Sequence, residues 1–251
     1  MRRLTFLLAT FALLAMALPG SALAGNPRAG TCSGGDIPGG TYGNFTVTGN
    51  CTVAAGANVW IKGNLIVARG AVLNDHAAEG FRGAQMHVTG NVKVRRGAVL
   101  GMGYNAAEGT VGPDTVGGNI VANHPLTVYL GNVTVHGNFI SNGGGDSGRN
   151  FPIKDNVIGG NLVIKGWSGW WFGVIRNTVG GNVIVSHNTA TDTSVLPGSD
   201  SSEIMGSVFG PQTIGGNLIC HHNVPAAQIN ALDGGLANVV GGNAIGECAG
   251  L

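Results

Sequence analysis

The sequence is short of charged side chains, and this shortage limits the partners that it can have. Only 10% of the residues are Asp, Glu, Lys or Arg, and the formal net charge is +1 at pH 7. Binding to a phosphate backbone needs a stripe of Lys and Arg, and the sequence has no such stripe. We therefore expect no nucleic-acid partner.

Paired carboxylates are also missing. The 12 Asp and Glu residues are scattered, with no Asp-Asp pair and no Asn-x-Asp triplet. Most glycoside hydrolases use two placed carboxylates, and a calcium site needs several oxygen ligands close together. The sequence therefore predicts no catalytic residue, no metal site and no cofactor.

Two matching side loops hold the remaining residue types that could bind a cation. These are Asp75, His76, Glu79 and His87 in the first loop, and Glu108 and Asp114 in the second. Both loops share the tetrapeptide Ala-Ala-Glu-Gly, but the second has no histidine. Because the second loop does not keep the set, we expect the first loop to be solvated rather than to hold a metal.

The only long apolar run lies at the start of the chain. Arg2 and Arg3 precede an apolar stretch over residues 4–18, and Ala22-Leu23-Ala24 fits a cleavage site. This is the pattern of a secretory signal peptide. We predict a signal peptide over residues 1–24 and one domain over residues 25–251, with no membrane span. The product is expected to be secreted or at the cell surface.

Glycine is abundant instead, with 46 residues, and much of it belongs to a repeat. Gly-Asn or Gly-Gly-Asn precedes an apolar segment again and again. The asparagines are Asn64, Asn91, Asn119, Asn138, Asn161, Asn182, Asn217 and Asn243. Their intervals, from 19 to 35 residues, are typical of a solenoid in which each repeat is one coil. We predict an all-β fold, a right-handed parallel β-helix of roughly nine coils.

The repeat also predicts the details of each coil. The first and third residues after the asparagine are mostly apolar, as in Leu65 with Val67 and Leu162 with Ile164. Alternate strand residues share a face, so we place these inside. The glycines are expected to supply positive φ at a tight corner. The stacked asparagines are expected to form an amide ladder.

The four cysteines fall in two pairs near the ends of the domain. Cys32 and Cys51 lie near its start, and Cys220 and Cys248 near its end. An even number of cysteines in an exported chain indicates disulfides, and the spacing matches no zinc motif. We predict Cys32–Cys51 and Cys220–Cys248 as bonds that cap the terminal coils.

The C-terminal region carries a resemblance. The segment 217–225 reads Asn-Leu-Ile-Cys-His-His-Asn-Val-Pro, and Gly246-Glu247-Cys248 follows it. This resembles a group of uncharacterised secreted proteins of actinobacteria that end in a similar Asn-Leu-x-Cys-x-x-Asn-x-Pro … Gly-x-Cys pattern. The resemblance implies an exported β-solenoid and implies no activity for any residue.

One aromatic segment is the main candidate for a binding site. Trp167, Trp170, Trp171 and Phe172 lie close together in a glycine-rich connection and include three of the four tryptophans. Aromatic rings stack on sugar rings or on apolar partner surfaces. The alternative is that the rings cover or fill the interior of the solenoid.

These observations favour a non-catalytic structural or adhesive protein, with envelope or extracellular glycans as the expected ligands. The alternative is a polysaccharide-degrading enzyme, a lyase or glycosidase, on a β-helix scaffold. The missing carboxylate cluster argues against the enzyme. The sequence does not specify an oligomeric state, a particular ligand, or a role for the long insertion over residues 189–207.

Overall fold

The computed structural model describes residues 27–75, 84–104, 106–191, 202–229 and 236–250. Within these ranges the chain forms 27 short β-strands and no helix. The predicted signal peptide over residues 1–24 lies outside the described residues, as does most of the 189–207 insertion. The all-β prediction is confirmed for the described part of the chain.

Most strands are two to five residues long and fall into three stacks. The first stack is a nine-stranded sheet, here called stack I. Its strands are β2 (Gly40–Tyr42), β4 (Asn58–Ile61), β7 (Gln85–Val88), β10 (Thr115–Val116), β13 (Thr134–Val135), β16 (Val157–Ile158), β20 (Thr178–Val179), β24 (Thr213–Ile214) and β26 (Val239–Val240). All of its strand pairs are parallel.

The other two stacks are the branches of a 16-stranded sheet that meet at one long strand, β3 (Phe45–Val53). Stack II continues from the first half of β3 through β5 (Leu65–Val67), β8 (Val92–Val94), β11 (Ile120–Asn123), β14 (Phe139–Asn142), β17 (Leu162–Lys165), β21 (Val183–Ser186), β25 (Leu218–His221) and β27 (Ala244–Gly246). Stack III continues from its second half through β6 (Val72–Asn74), β9 (Val99–Gly103), β12 (Thr127–Gly131), β15 (Asn150–Lys154), β19 (Trp171–Ile175) and β23 (Ser202–Met205).

The remaining strands cover an end and a corner. β1 (Gly30–Ile37) pairs in parallel with β3 and lies over the first coil. β18 (Ser168–Gly169) and β22 (Thr189–Ala190) form a two-stranded sheet. Along the chain, strands of stacks I, II and III follow one another in turn, and each pairs with its counterpart about one repeat away. This order is consistent with a β-solenoid.

The core lies between the stacks and is built from alternate strand residues. Leu65 and Val67 in β5, and Leu162 and Ile164 in β17, are 0% exposed, as the repeat predicts. Their neighbours Ile66 and Val163 face outward and are half-buried. Since each strand is short and rich in β-branched residues, it suits a pleated sheet that is buried on one face.

The predicted amide ladder is present, and it runs along the corner between stacks I and II. The backbone N–H of each asparagine donates to the side-chain Oδ1 of the asparagine one coil earlier. The distances from Asn64 to Asn44, from Asn91 to Asn64, and onward to Asn243 are 2.8–2.9 Å. The ladder is half-buried over most of its length and exposed at Asn44 and Asn243.

The glycines before these asparagines serve a different purpose from the predicted one. Gly118 and Gly160 do not have positive φ. A Cβ at Gly160 would lie 2.4 Å from Oδ1 of Asn138, and a Cβ at Gly118 would lie 2.6 Å from Oδ1 of Asn91. The ladder therefore needs glycine because the coils approach so closely. Positive φ occurs one corner later, at residues such as Gly70 and Gly97.

Two further amide columns are more deeply buried. In the first, Asn156 Nδ2 donates to Asn177 Oδ1 at 2.9 Å, and Asn177 Nδ2 donates to Gln212 Oε1 at 3.2 Å. In the second, Asn188 Nδ2 donates to Asn223 Oδ1 at 3.0 Å. None of these five side chains is more than 5% exposed. The coils are thus joined by side-chain hydrogen bonds in addition to the sheet ladders.

The four cysteines pair as predicted. Cys32–Cys51 joins β1 to β3, and Cys220–Cys248 joins β25 to the last described turn. All four side chains are buried. Because terminal coils lack a neighbour on one side, the two bonds lie where the stack needs support.

Candidate functional site

The best candidate surface is the outer face of stack III. Inward residues of its strands, such as Phe151, Phe172 and Val174, are 0% exposed. The residues between them face outward. Four of these outward residues form what we call the outer strip, namely Tyr129, Lys154, Trp171 and Glu203, and all four are half-buried.

Trp171 lies across the sheet because Gly173, the next outward-facing residue of its strand, has no side chain. A Cβ at Gly173 would lie 2.3 Å from the Trp171 ring, so only glycine leaves room for the ring there. Lys154 Nζ is 4.9 Å from the ring centroid, within the range of a cation–π contact. The strip thus combines an aromatic ring with an adjacent ammonium group.

The electrostatics of Lys154 follow from its surroundings. Burial lowers the pKa of the Lys154 ammonium, and the positive charge of Arg176 lowers it further, whereas Glu203, Glu108 and Asp155 oppose the shift. Among the described residues, Lys154 is the amine whose pKa is displaced toward the neutral range. Its ammonium therefore releases a proton more readily than that of an exposed lysine.

The ring of Tyr104 lies beside the strip and, like that of Trp171, packs over a glycine. A Cβ at Gly131 would lie 2.7 Å from the Tyr104 ring. The Tyr104 hydroxyl donates to the Pro152 carbonyl at 3.4 Å. Burial raises the pKa of Tyr104, and the Asp155 carboxylate raises it further, so this hydroxyl stays protonated and acts as a donor.

The corner next to the strip holds a charge cluster centred on Arg176. Its guanidinium donates to both carboxylate oxygens of Asp155 at 2.6 and 2.7 Å and to Ser207 Oγ at 3.0 Å. Glu108 Oε2 lies 3.6 Å from Arg176 Nη2. Asp155 Oδ1 also accepts from Gly109 N–H at 3.1 Å. These contacts tie two connecting loops to one corner. Asp155 therefore has a structural role at this corner.

The four aromatic residues predicted to bind do not share one surface. Trp167 and Phe172 are 0% exposed, whereas Trp170 is 39% exposed and Trp171 is half-buried. Trp167 lies in the buried core, where its ring centroid is 5.3 Å from that of Phe151. Trp167 and Phe172 therefore fill the core, which was the alternative to a binding surface. Trp170 and Trp171 remain as surface candidates.

The expectation of a solvated first loop is wrong for Asp75 at its start, and Asp114 at the end of the second loop is buried as well. Asp75 is 6% exposed and Asp114 is 0% exposed. Asp114 Oδ1 accepts from Met86 N–H at 2.9 Å. Burial raises the pKa of Asp75 well above its ordinary value, and the charge of the nearby Asp114 raises it further. Two buried carboxyls this close disfavour the state in which both are charged.

The other residues considered as cation ligands are not shown to lie beside Asp75 and Asp114. His87 lies on the outer face of stack I, where its ring stacks on Trp60 with centroids 4.1 Å apart. His76 and Glu79 lie outside the described residues. In the described ranges, no three His, Cys, Asp or Glu side chains come together as a metal site would require.

Sequence reasoning missed the tryptophan of stack I. Trp60 is 40% exposed, Lys62 Nζ lies 4.4 Å from its ring centroid, and His87 Nδ1 is 3.1 Å from Thr115 Oγ1. The signal was the alternation in Asn58-Val59-Trp60-Ile61, which places Trp60 on the outer face. Trp60 provides a comparison ring for the strip.

Comparison with models of protein families, with curated proteins and with solved structures finds no match for this chain. Among the residues that the structure describes, no helix has the length and apolar character to cross a membrane.

Proposed function

We propose that this chain is an exported, non-catalytic β-solenoid with a structural or adhesive role, which binds envelope or extracellular glycans through the outer strip. The three stacks close into a right-handed parallel β-helix. Residues 1–24 act as the signal peptide, and the protein is secreted or held at the cell surface. The two disulfides support an oxidising compartment.

The observation that carries the glycan proposal is the placement of Trp171 and Trp170. Trp171 lies across the outer face of stack III beside Lys154, and Trp170, directly before it, is 39% exposed. Sugar rings present apolar faces that stack on such rings, while their hydroxyls need polar partners close by. Lys154 and Glu203 are polar groups on the same face.

The test is a double substitution, Trp170→Ala with Trp171→Ala, assayed on a glycan array and on isolated envelope material. We expect loss of binding with little change in melting temperature, because both rings lie outside the core. Trp60→Ala is the matched control, since Trp60 is 40% exposed but lies on stack I. Binding that survives the double substitution, or the Trp170→Ala single variant if the double variant does not fold, would contradict the proposal.

Lys154 favours one second candidate, a polysaccharide lyase. Its lowered pKa suits a general base that removes the proton next to a uronate carboxylate. The carbon–oxygen bond to the leaving sugar then breaks, a double bond forms, and the leaving oxygen takes up a proton. Incubation with polygalacturonate should then raise the ultraviolet absorbance of the unsaturated product, and Lys154→Met should abolish that rise. A flat trace for the unmodified protein rules out the lyase and leaves the binding proposal intact.

A further inference from the structure

A groove opens on the outer face of stack III on the N-terminal side of the outer strip. Its volume is about 450 Å³, within the usual range for small-ligand sites. The residues that line it are Gly70, Val72, Asn74, Gly97, Val99, Gly101, Leu126, Tyr129 and Arg149. It shares Tyr129 with the outer strip, so the two surfaces are continuous.

The groove has an apolar floor and one aromatic residue. Val72 and Val99 are paired neighbours in β6 and β9. Gly101 is level with Tyr129 of the next strand, so the missing side chain leaves a recess beside the tyrosine. A recess of this kind fits the flat face of a ring that stacks on Tyr129.

The groove also contains a hydrogen-bond acceptor for which the described residues supply no donor. The Oδ1 atom of Asn74 is buried and has no hydrogen-bond partner among the described residues. A buried acceptor left unpaired is costly, and such atoms are frequently satisfied by a ligand or water. A hydroxyl group in the groove would supply the missing donor.

The charge around the groove is positive. Arg149 is exposed and is the one charged side chain among the lining residues. Arg69 and Arg96, both exposed, directly precede the lining glycines Gly70 and Gly97. Asp75, the next residue after Asn74, is 6% exposed and lies in the interior. The described lining therefore has basic neighbours and no carboxylate.

We infer that this groove binds an acidic sugar, a pyranose ring that carries a carboxylate. The Arg149 guanidinium pairs with the carboxylate in the planar, two-bond geometry that arginine favours. The Tyr129 ring stacks on the apolar face of the sugar, and Asn74 Oδ1 accepts from a ring hydroxyl. This inference rests on the proposed glycan-binding function and names its ligand class.

The test uses the exported chain in calorimetric titrations with three soluble polymers, namely polygalacturonate, a neutral galactan and dextran sulfate. We expect polygalacturonate to bind most tightly. Arg149→Gln should weaken that binding about tenfold or more, since a charge-assisted hydrogen bond is lost. Arg28→Gln removes the same charge from an exposed site in the N-terminal segment and should leave binding unchanged. Asn74→Ala should weaken it by a smaller factor.

The outcomes separate this inference from the proposed function. Equal binding of the neutral galactan and polygalacturonate, or an Arg149→Gln variant that binds like the unmodified protein, overturns the acidic-sugar site but not glycan binding. Dextran sulfate binding as tightly as polygalacturonate overturns the assignment to a carboxylate. Failure to bind any of the three polymers, together with a blank glycan array, overturns both.

Discussion

The buried residue just before the stack I strand is an amide in the later coils and a carboxyl in an earlier coil. Comparing the two shows which polar groups the core tolerates. In the later coils this position, just before the strand of stack I, holds Asn156, Asn177 and Gln212, which hydrogen-bond to one another. In an earlier coil it holds Asp114, whose neighbour in the core is Asp75. All five side chains are at most 6% exposed.

The difference lies in donors and acceptors. An amide both donates and accepts, so Asn177 accepts from Asn156 and still donates to the Ile153 carbonyl at 2.8 Å. A carboxylate only accepts. It therefore fits where two donors converge, as at Glu247, which accepts from Asn223 N–H at 2.9 Å and from Asn223 Nδ2 at 2.8 Å. Facing another carboxylate, it needs a proton instead.

Asn177→Ala should interrupt the amide column and cause the largest loss of folding stability among these variants. It leaves the Asn156 amide and the Ile153 carbonyl without their partners and opens a small cavity. We expect a loss of roughly 3 kcal/mol, because each buried unpaired group costs about 1–3 kcal/mol. Chemical denaturation measures it, with Asn123→Ala at an exposed position as the control. A loss no greater than that of the control would show that the column contributes nothing.

Glu247→Gln should test the carboxylate that ends the second column. The substituted amide would turn a donor toward one of the two Asn223 donors, so one hydrogen bond is replaced by repulsion. We expect a loss of roughly 2 kcal/mol, together with faster hydrogen exchange in β25 and β27. A variant as stable as the unmodified protein would mean that the carboxylate is not required at the end of the column.

Asp75→Asn should convert the carboxyl pair into an amide–carboxylate pair. Because the pKa of Asp75 is raised in the folded state, its favourable contribution is complete below the unfolded pKa of about 3.9. That contribution is lost as the pH rises through the folded value. The variant should therefore be more stable than the unmodified protein at neutral pH, by about 1–2 kcal/mol.

The same variant should lack the pH dependence that the carboxyl pair gives to the unmodified protein. Denaturation at a series of pH values from 4 upward measures both the gain and the slope. Parallel curves for the two proteins across this range would contradict the raised pKa of Asp75.

Asn161→Ala and Asn182→Ala should have smaller effects, because the outer ladder is only half-buried. Each change removes the side-chain acceptor of the next backbone N–H at 2.8 Å, and water can partly replace it. We expect about 1 kcal/mol for each, measured as a shift in melting temperature. A loss equal to that of Asn177→Ala would remove the distinction between buried and half-buried ladders.

Much of the fold was predictable because one sequence repeat corresponds to one coil. Gly-Asn before an apolar pair gives the coil, the inner register of Leu162 and Ile164, and the outer ladder. The buried column was equally visible as a polar residue five positions before the ladder, in Asn156 and Asn177. Its burial was not, since one-dimensional spacing does not show which side of a corner faces the core.

The candidate site was less predictable for a related reason. Trp167 and Trp171 look alike in the sequence, but the corner between them turns one ring inward and leaves the other across the sheet beside Gly173. Lys154 and Tyr129 lie in different coils and carry no motif. Their placement on one sheet face depends on the register between β12, β15 and β19, which the irregular intervals do not specify.

Hydrogen exchange of the asparagine side-chain amides, followed by NMR, tests most directly whether buried amide columns join the coils. We predict that the Nδ2 protons of Asn156, Asn177 and Asn188 exchange as slowly as backbone amides of the core strands. The side-chain amide of the exposed Asn123 should exchange at the rate of a free amide. If the three amides exchange as fast as Asn123, the columns do not hold the coils together and the account is contradicted.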